Sequence, residues 1–449
     1  MVTIQSQETE GRTKNMNFLI DRETMPIAGF YGPKELEYES PKGWKAPDYL
    51  TDRYYEMIKE SGINLISYTE MDYAQNPAAV TRSLQLAEKQ GIGMYVMDSG
   101  LRADMTVEEM RERMSGYSHY RCFQGIHVCD EPGSPEYGDK KRLLENYYEL
   151  TRKINSFEDL NAYVNLYAFH PEWIGVNNNT IWLDRPYFEA YVDAYCKGCA
   201  AKMLSEDYYI FDAHSVENAA EYYTNLEIMN QYAQKYHIPY WVHIQLGGQW
   251  NDGAQRKESV QYYPQPEEVI WNVNTSLAYG AKGIQYFPLL QPHYFAFAPE
   301  GEMDFNRNGL ITANGEKSMW FDCVKEANAQ IRAVGGYLMK MTHKQMIAKG
   351  HYAEQNLPDA AASWHELASV ELKDGSDQYG AVIGCFEYQG RSAFYVVNND
   401  VKNKQSVVLN FDGTYTIEAV SAGKRETVSE NSYMLLLEPA AAVLVVLKG

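Results

Sequence analysis

Two adjacent carboxylates, Asp130 and Glu131, end an apolar stretch of the sequence, and Pro132 and Gly133 stop the predicted strand directly after them. One carboxyl group of such a pair can donate a proton while its neighbour stays ionised, if the surroundings raise the pKa of the first. A Glu that only caps the next helix, or that pairs with an Arg, would give the same pattern. The sequence therefore predicts general acid/base chemistry at Glu131, with Asp130 beside it, and leaves the structural alternative open.

The strand that carries this pair has two predicted faces. Period-two alternation places Ile126 and Val128 on an apolar face, which would meet a helix. The opposite face would look into a barrel or cleft and carries His127, Cys129 and Glu131. Because parallel α/β folds keep their chemistry at the carboxyl ends of their strands, we expect Glu131 to lie in the functional site.

Short strands alternate with amphipathic helices from about residue 26 onward, and this alternation predicts a parallel sheet. Eight strands are expected: 26–32, 63–70, 92–99, 123–131, 160–169, 208–214, 239–245 and 283–289. Eight strand–helix units in this length are typical of a (β/α)₈ TIM barrel. We therefore predict an α/β fold with an N-terminal extension (1–25), a barrel (26–341) and a C-terminal antiparallel β-sandwich domain (342–449), whose short strands are separated by turn residues.

Composition and charge limit the classes of partner and cofactor. The net charge of -20 argues against nucleic acid or anionic membranes as partners. The amino terminus as given lacks an apolar signal region, so a cytoplasmic protein is expected, a removed signal being left open. Neither GxGxxG nor GxxxxGK[ST] follows an early strand, and Cys196 and Cys199 fit helix packing better than metal binding. No cofactor or metal is predicted, and oligomeric state stays open.

Polar and aromatic residues cluster where the predicted strands end. If the strands close into a barrel, these ends converge on one pocket, whose amides and carboxylates can hydrogen-bond several hydroxyl groups. The predicted binding residues are Tyr31, Glu70, Asp98, Asn165, Tyr167, His214, His243, Gln245 and Tyr286, and the rim also includes His170, Gln249 and His293. Asp212 is a further candidate carboxylate for catalysis.

At this point the chain resembles the (β/α)₈ glycoside hydrolases, especially the clan with an acid/base Glu at the end of strand four. The resemblance covers DEPG (130–133), NTSLAYGAKGIQYF (274–287), the helix that follows and the C-terminal segment from FYVVNND onward. It implies cleavage of an O-glycosidic bond in a carbohydrate, with Glu131 as general acid/base.

The sequence departs from that clan at Gln245, where the second Glu of the clan would stand. An amide cannot attack an anomeric carbon as a carboxylate does. Asp212 or Glu70 could take the second role, or Gln245 could be an introduced substitution. Alternatively, the substrate could supply its own nucleophile, because Asp130 and Glu131 resemble the Asp-Glu pair of β-N-acetylhexosaminidases. A binding barrel without catalysis, or a lyase or isomerase with His214 or His243 as base, is also open.

Overall fold

The computed structural model describes residues 23–35, 47–132, 140–169, 185–212, 214–247, 262–291, 308–373 and 377–448, with the backbone alone at 140–146 and 212. Nearly all of the predicted N-terminal extension lies outside these ranges. Within them, no helix is long and apolar enough to cross a membrane.

Eight parallel strands form the first sheet. They are β1 (Ile27–Gly29), β2 (Leu65–Ile66), β3 (Gly93–Val96), β4 (Phe123–Asp130), β5 (Ala162–Asn165), β6 (Leu204–Glu206), β7 (Tyr240–Gln245) and β8 (Gly283–Phe287). Their order is β5-β4-β3-β2-β1-β8-β7-β6. A parallel bridge between Leu166 and Glu206 joins the two ends, and the Leu166 N–H donates to the Ser205 carbonyl at 2.8 Å. The sheet is therefore a closed barrel, as the sequence predicts.

Helices alternate with these strands and cover the outside of the barrel. They are α1 (Asp52–Ser61), α2 (Pro77–Gln90), α3 (Val107–Met114), α4 (Lys140–Asn155), α5 (Arg185–Gly198), α6 (Ala220–Tyr236), α7 (Pro266–Ala278) and α8 (Phe321–Leu338). Gly62 and Gly91 end α1 and α2 with left-handed backbone, which a residue without a side chain adopts without strain. Because α1 and α2 end at these glycines, the chain turns directly into the next strand. The carboxyl ends of the strands therefore lie at one mouth of the barrel.

The predicted sixth strand, residues 208–214, is wrong. The chain pairs in the sheet earlier, at β6, and Ile210–Asp212 form a 3₁₀ turn. The apolar run misled the prediction because it packs against a helix instead of pairing in the sheet: the Tyr208 ring stacks on Tyr222 of α6, with centroids 5.8 Å apart. Position 212 therefore lies six residues beyond the end of the strand, and its side chain is outside the described structure.

A second, antiparallel sheet follows α8. Its strands are β9 (Thr342–Lys349), β10 (Leu367–Lys373), β11 (Ala381–Tyr388), β12 (Arg391–Asn398), β13 (Gln405–Ser421), β14 (Lys424–Leu437) and β15 (Ala442–Lys448), and a short helix, α9 (His351–Asn356), follows β9. The order is β10-β13-β15-β12-β11-β9, with β14 paired to β13. The predicted class, a TIM barrel followed by an antiparallel β domain, is confirmed.

Buried polar contacts hold this second sheet against the barrel helices. The Asn399 Oδ1 atom accepts hydrogen bonds from the Trp271 indole at 2.8 Å and from the Tyr223 hydroxyl at 3.3 Å. The Asn274 side chain donates to the Ala440 carbonyl at 2.9 Å. Because each of these groups is buried, separating the two parts would leave several polar groups without partners.

Gly384 marks the closest approach between the sheet and α7, and it gives a stability prediction. A Cβ atom at this position would lie 2.0 Å from the Ala278 carbonyl oxygen, so two backbones would have to move apart. We expect Gly384→Ala to lower the free energy of unfolding by about 1–3 kcal/mol in urea denaturation. Gly336→Ala on α8 is the matched control, because its Cβ meets nothing within 4 Å and alanine favours helix. Equal losses in both variants would contradict the close-packing argument.

Candidate active site

Aromatic and histidine side chains fill the barrel below the mouth. Phe30 packs against both His127 and His243, with ring centroids 5.9 and 5.1 Å apart. The Nδ1 atoms of the two imidazoles lie 3.1 and 3.0 Å from the backbone carbonyls of Ser67 and Glu206. Burial lowers the pKa of each histidine to about 4, so both are neutral at physiological pH. These side chains form a packed layer inside the barrel, below the mouth. His243, a predicted binding residue, is part of this layer.

A β-bulge in β4 aims Asp130 into the mouth. The pairing of β4 with β5 matches His127 to Tyr163 and Asp130 to Asn165, with an irregularity between His127 and Cys129. The extra residue reverses the alternation of faces. Cys129 therefore packs against the core outside the barrel, contrary to the prediction that it shares the inner face with His127. Asp130 takes the inward direction instead.

The Asp130 carboxylate is held by a neighbouring amide. The Nδ2 atom of Asn165, a predicted binding residue, donates to Asp130 Oδ1 at 3.2 Å. Although Asp130 keeps solvent contact, the protein that surrounds its carboxyl group raises its pKa to about 6, and the Asn165 hydrogen bond opposes this rise. Asp130 therefore keeps its proton to higher pH than an ordinary aspartate does, and the Asn165 amide favours its ionised form.

Glu131 combines an unusual backbone conformation with a raised side-chain pKa. Its backbone is left-handed, with φ of 46°, and its N–H donates to the Asn165 carbonyl at 2.9 Å. Such a φ is uncommon for a residue other than glycine and indicates that the surroundings fix it. The enclosure of its carboxyl group, then the charge of Asp130, raises the pKa of Glu131 to about 7. The group keeps a proton to much higher pH than an ordinary glutamate.

Sequence reasoning missed the third carboxylate, Asp207. It follows β6 directly, and its side chain is in hydrogen-bonding contact with Glu131. Burial, then the charge of Glu131, raises the pKa of Asp207 well above its usual range. The hydrogen bond between the two groups lowers the pKa of Glu131 and raises that of Asp207, so Asp207 is the donor in this contact. The signal in the sequence is the pair Glu206-Asp207 after Leu204 and Ser205, which repeats the pattern of two acidic residues at a strand end.

Tyrosine rings border this carboxyl cluster, which consists of Asp130, Glu131 and Asp207. The Tyr209 hydroxyl donates to Asp207 Oδ2 at 3.4 Å. Burial, then the charge of Glu131, raises the pKa of Tyr167, a predicted binding residue, so its hydroxyl stays protonated. Tyr68 stacks on His127, and burial and the charge of Asp130 raise its pKa to about 12. These hydroxyls can orient polar groups of a ligand at the mouth.

Two further predicted residues lie just beyond the ends of β1 and β2. Tyr31 and Glu70 have positive φ values of 62° and 58°. The Tyr31 ring contacts Tyr68, with centroids 5.2 Å apart, and Glu70 forms an ion pair with the buried Lys34. Left-handed backbone therefore follows three barrel strands, at Tyr31, Glu70 and Glu131, and backbone strain of this kind often accompanies functional sites.

Three predicted residues have structural partners instead. The Asp98 carboxylate accepts hydrogen bonds from Arg113 and Tyr117. Tyr286 points out of the barrel, and its hydroxyl donates to Asn328 of α8 at 2.7 Å. His214 lies beyond the 3₁₀ turn, where its Nε2 is 3.8 Å from Glu221 of α6. None of these contacts involves the carboxyl cluster.

Gln245 stands at the end of β7 and braces the backbone of two loops. Its Oε1 accepts from the Phe211 N–H at 3.0 Å, and its Nε2 donates to the Gly247 carbonyl at 2.9 Å. A carboxylate could accept the first hydrogen bond but could not donate the second. An amide is thus the side chain that suits this position.

The remaining predictions concern three residues of the rim and the absence of a metal site. His170, Gln249 and His293 lie outside the described residues. Among the residues that are described, no three His, Cys, Asp or Glu side chains are arranged to hold a metal ion.

Glu206, next to Asp207 in sequence, points away from the mouth and gives a second stability prediction. Its side chain is buried near Tyr222 and Tyr240, and neither carboxyl oxygen has a hydrogen-bond partner of good geometry in the described structure. Burial raises its pKa to about 8, and the Tyr208 amide offsets this rise only in part. The folded protein therefore binds this proton more tightly than the unfolded chain does.

For a carboxyl group with a raised pKa, the stabilising effect is complete below the unfolded pKa of about 4.3 and is lost as pH rises towards 8. Glu206→Gln removes this proton linkage. We expect the free energy of unfolding to fall less steeply with pH in the variant, by up to about 1.4 kcal/mol per pH unit between pH 5 and 8. Urea denaturation at several pH values checks this, and identical slopes in the two proteins would contradict it.

Comparisons with known proteins place the fold. No family model and no curated protein sequence matches the chain. Among solved structures, it is similar to a β-galactosidase from Bacillus circulans sp. alkalophilus, with a TM-score of 0.56 and 8% identity over 95% of this chain and 99% of that one. It is equally similar to a catalytic mutant of a GH42 β-galactosidase from G. stearothermophilus, with a TM-score of 0.56 and 9% identity over 96% and 99%.

These neighbours are glycoside hydrolases with a TIM-barrel-like sheet, so the resemblance predicted from the sequence is confirmed at the level of the fold. Sequence identities of 8% and 9% show a similar fold and nothing finer.

Proposed function

We propose that this protein is a glycoside hydrolase that cleaves an O-glycosidic bond in a carbohydrate or glycoconjugate by carboxylate acid/base catalysis. The observation that carries the proposal is the carboxyl cluster: Asp130, which ends β4, and Glu131, which follows it, meet Asp207, which follows β6, at the carboxyl end of a closed barrel. Barrel enzymes keep their catalytic groups at this end. The fold of the neighbours supports the same class of reaction.

Glu131 is the proposed general acid. A glycosidic oxygen leaves poorly as an alkoxide, so a protonated group must stand ready beside it. The protein around its carboxyl group and the charge of Asp130 raise the pKa of Glu131 to about 7, against the effect of the Asp207 hydrogen bond, so Glu131 can hold a proton at higher pH than an ordinary glutamate. Asp130, with its amide donor, is the ionised neighbour that stabilises the positive charge developing on the sugar.

Asp207 is the proposed second carboxylate, in place of the Asp212 and Glu70 alternatives. In glycosidases the two carboxyl groups lie about 5–5.5 Å apart for retention and about 6.5–9.5 Å for inversion. Glu131 and Asp207 are in hydrogen-bonding contact here, so a sugar ring that enters between them would separate them. Asp207, which holds the proton of this contact in the structure, would pass it to Glu131 and then face the anomeric carbon as nucleophile or as base.

The test is a screen of purified protein against a panel of aryl glycosides, including N-acetylhexosaminides, beside Glu131→Gln. Turnover that is lost in the variant would support the proposal and identify the sugar. A preference for N-acetyl sugars would favour substrate assistance, with Asp130 orienting the acetamido group. Saturable sugar binding without product from aryl glycosides or longer glycans would instead favour a binding barrel.

A further inference from the structure

A chain of buried hydrogen bonds crosses the barrel and ends on Asp130. The Gln285 Nε2 atom on β8 donates to Ser205 Oγ on β6 at 2.8 Å. The Ser205 hydroxyl donates to Asn165 Oδ1 on β5 at 3.0 Å, and Asn165 Nδ2 donates to Asp130 Oδ1 on β4 at 3.2 Å. Gln285, Ser205 and Asn165 are at most 1% exposed, so water does not compete with the contacts among these three residues.

The protons in this chain fix the direction of every bond. A serine hydroxyl has one proton and two acceptor sites. Ser205 gives its proton to Asn165, so the Tyr163 hydroxyl, 3.1 Å away, must be the donor to Ser205 Oγ. Tyr163 and Gln285 then occupy the two acceptor sites of Ser205 Oγ. The carbonyl oxygen of Asn165 therefore faces Ser205, and its NH₂ group faces Asp130. A rotated amide would point its oxygen at the Asp130 carboxylate and lose the hydrogen bond to it.

We propose that Ser205 and Gln285 are positioning residues, which hold the Asn165 amide as a donor to Asp130 and thereby keep Asp130 the ionised member of the carboxyl cluster. Neither residue contacts the mouth itself. This positioning role rests on the proposed function and extends it. It assigns different tasks to the two adjacent carboxyl groups: Asp130 carries the negative charge, and Glu131 carries the proton.

The electrostatic surroundings make this amide important. The titratable groups near Asp130 are Tyr68, Cys129, Glu131, Tyr163, Tyr167 and Asp207. None of these groups supplies a positive charge. In the described structure, the Asn165 amide is the group that stabilises the carboxylate form of Asp130, and its hydrogen bond opposes the effect of burial on the pKa.

The experiment is a pH profile of kcat/KM for wild type, Ser205→Ala and Ser205→Thr. If Asp130 must be ionised, activity falls as pH drops through its pKa. Loss of the amide donor raises that pKa, so we expect the acidic limb of Ser205→Ala to move up by about one pH unit, a loss of about tenfold at pH 5, with KM unchanged. Ser205→Thr keeps a hydroxyl and should restore the wild-type limb. Ser276→Ala removes a buried hydroxyl from α7 and is the matched control.

The pKa of Asp130 can also be measured without turnover. Carboxyl ¹³C titration of Asp130, assigned with Asp130→Asn, reports its pKa directly, and Tyr163→Phe provides a milder disturbance of Ser205 than alanine does. A higher Asp130 pKa in Ser205→Ala or Tyr163→Phe supports the positioning role, even if the wild type hydrolyses no glycoside and the proposed function fails. An unchanged Asp130 titration or acidic limb, in a folded variant, overturns it.

Discussion

Glu131→Gln is expected to lower kcat/KM on glycosides with poor leaving groups by about 10²–10⁴-fold, the usual contribution of a positioned general acid. Glutamine keeps the size of the side chain but cannot release a proton to the glycosidic oxygen. The loss should shrink on aryl glycosides whose leaving groups are stable anions, because these need little protonation. Rates for a series of aryl glycosides with different leaving-group pKa values measure this dependence.

The dependence on the leaving group separates a proton donor from a residue that only maintains the site. A structural defect lowers the rate by the same factor on every substrate. Glu88→Gln on α2 is the matched control, since Glu88 accepts hydrogen bonds from Arg121 outside the site. A uniform loss across the series in Glu131→Gln would remove Glu131 from the acid role.

Asp207→Ala is expected to have an effect of similar size, about 10²-fold or more, because no other carboxylate is in hydrogen-bonding contact with Glu131 in the described structure. The alanine variant also opens space beside the anomeric carbon. If Asp207 acts as nucleophile or base, added azide should enter that space and restore turnover with a glycosyl azide as product. Mass spectrometry of the products identifies it and shows its anomeric configuration.

Asp104→Ala is the control for Asp207, because Asp104 forms an exposed ion pair with Arg102 and should neither lose activity nor respond to azide. If Asp207→Ala retains most of its activity, the second carboxylate of the proposed mechanism has been misassigned. In that case substrate assistance, which needs only Asp130 and Glu131, becomes the better mechanism.

The barrel could be predicted from sequence because its signal is repeated. Eight apolar segments alternate with amphipathic helices, and an error in one segment leaves the others unaffected. The segment that failed, β6, is three residues long and contains Ser205 and Glu206. Ser205, which points into the barrel, joins a polar network there. The apolar run that follows β6 packs against α6 through Tyr208. Hydrophobic periodicity therefore pointed to the run that is not in the sheet.

The candidate site was predicted only in part, for the same kind of reason. Asp130 and Glu131 follow a long, regular strand, so their place at the mouth could be predicted, whereas the bulge that turns Asp130 inward could not be recognised from residue types. The contact between Glu131 and Asp207 joins residues that are 76 positions apart in the sequence, so no local pattern indicates it. Gln245 looked like a missing nucleophile, although its two hydrogen bonds to backbone groups give it a structural task.

The measurement that tests the central claim most directly is the release of reducing sugar from unactivated glycans by purified wild type and Glu131→Gln, side by side at neutral pH. We predict steady release by the wild-type protein on at least one glycan and release at least about 10²-fold slower by the folded variant. Equal release by the two proteins, or binding of glycans without release by either, would contradict the assignment of Glu131 as the proton donor of a glycoside hydrolase.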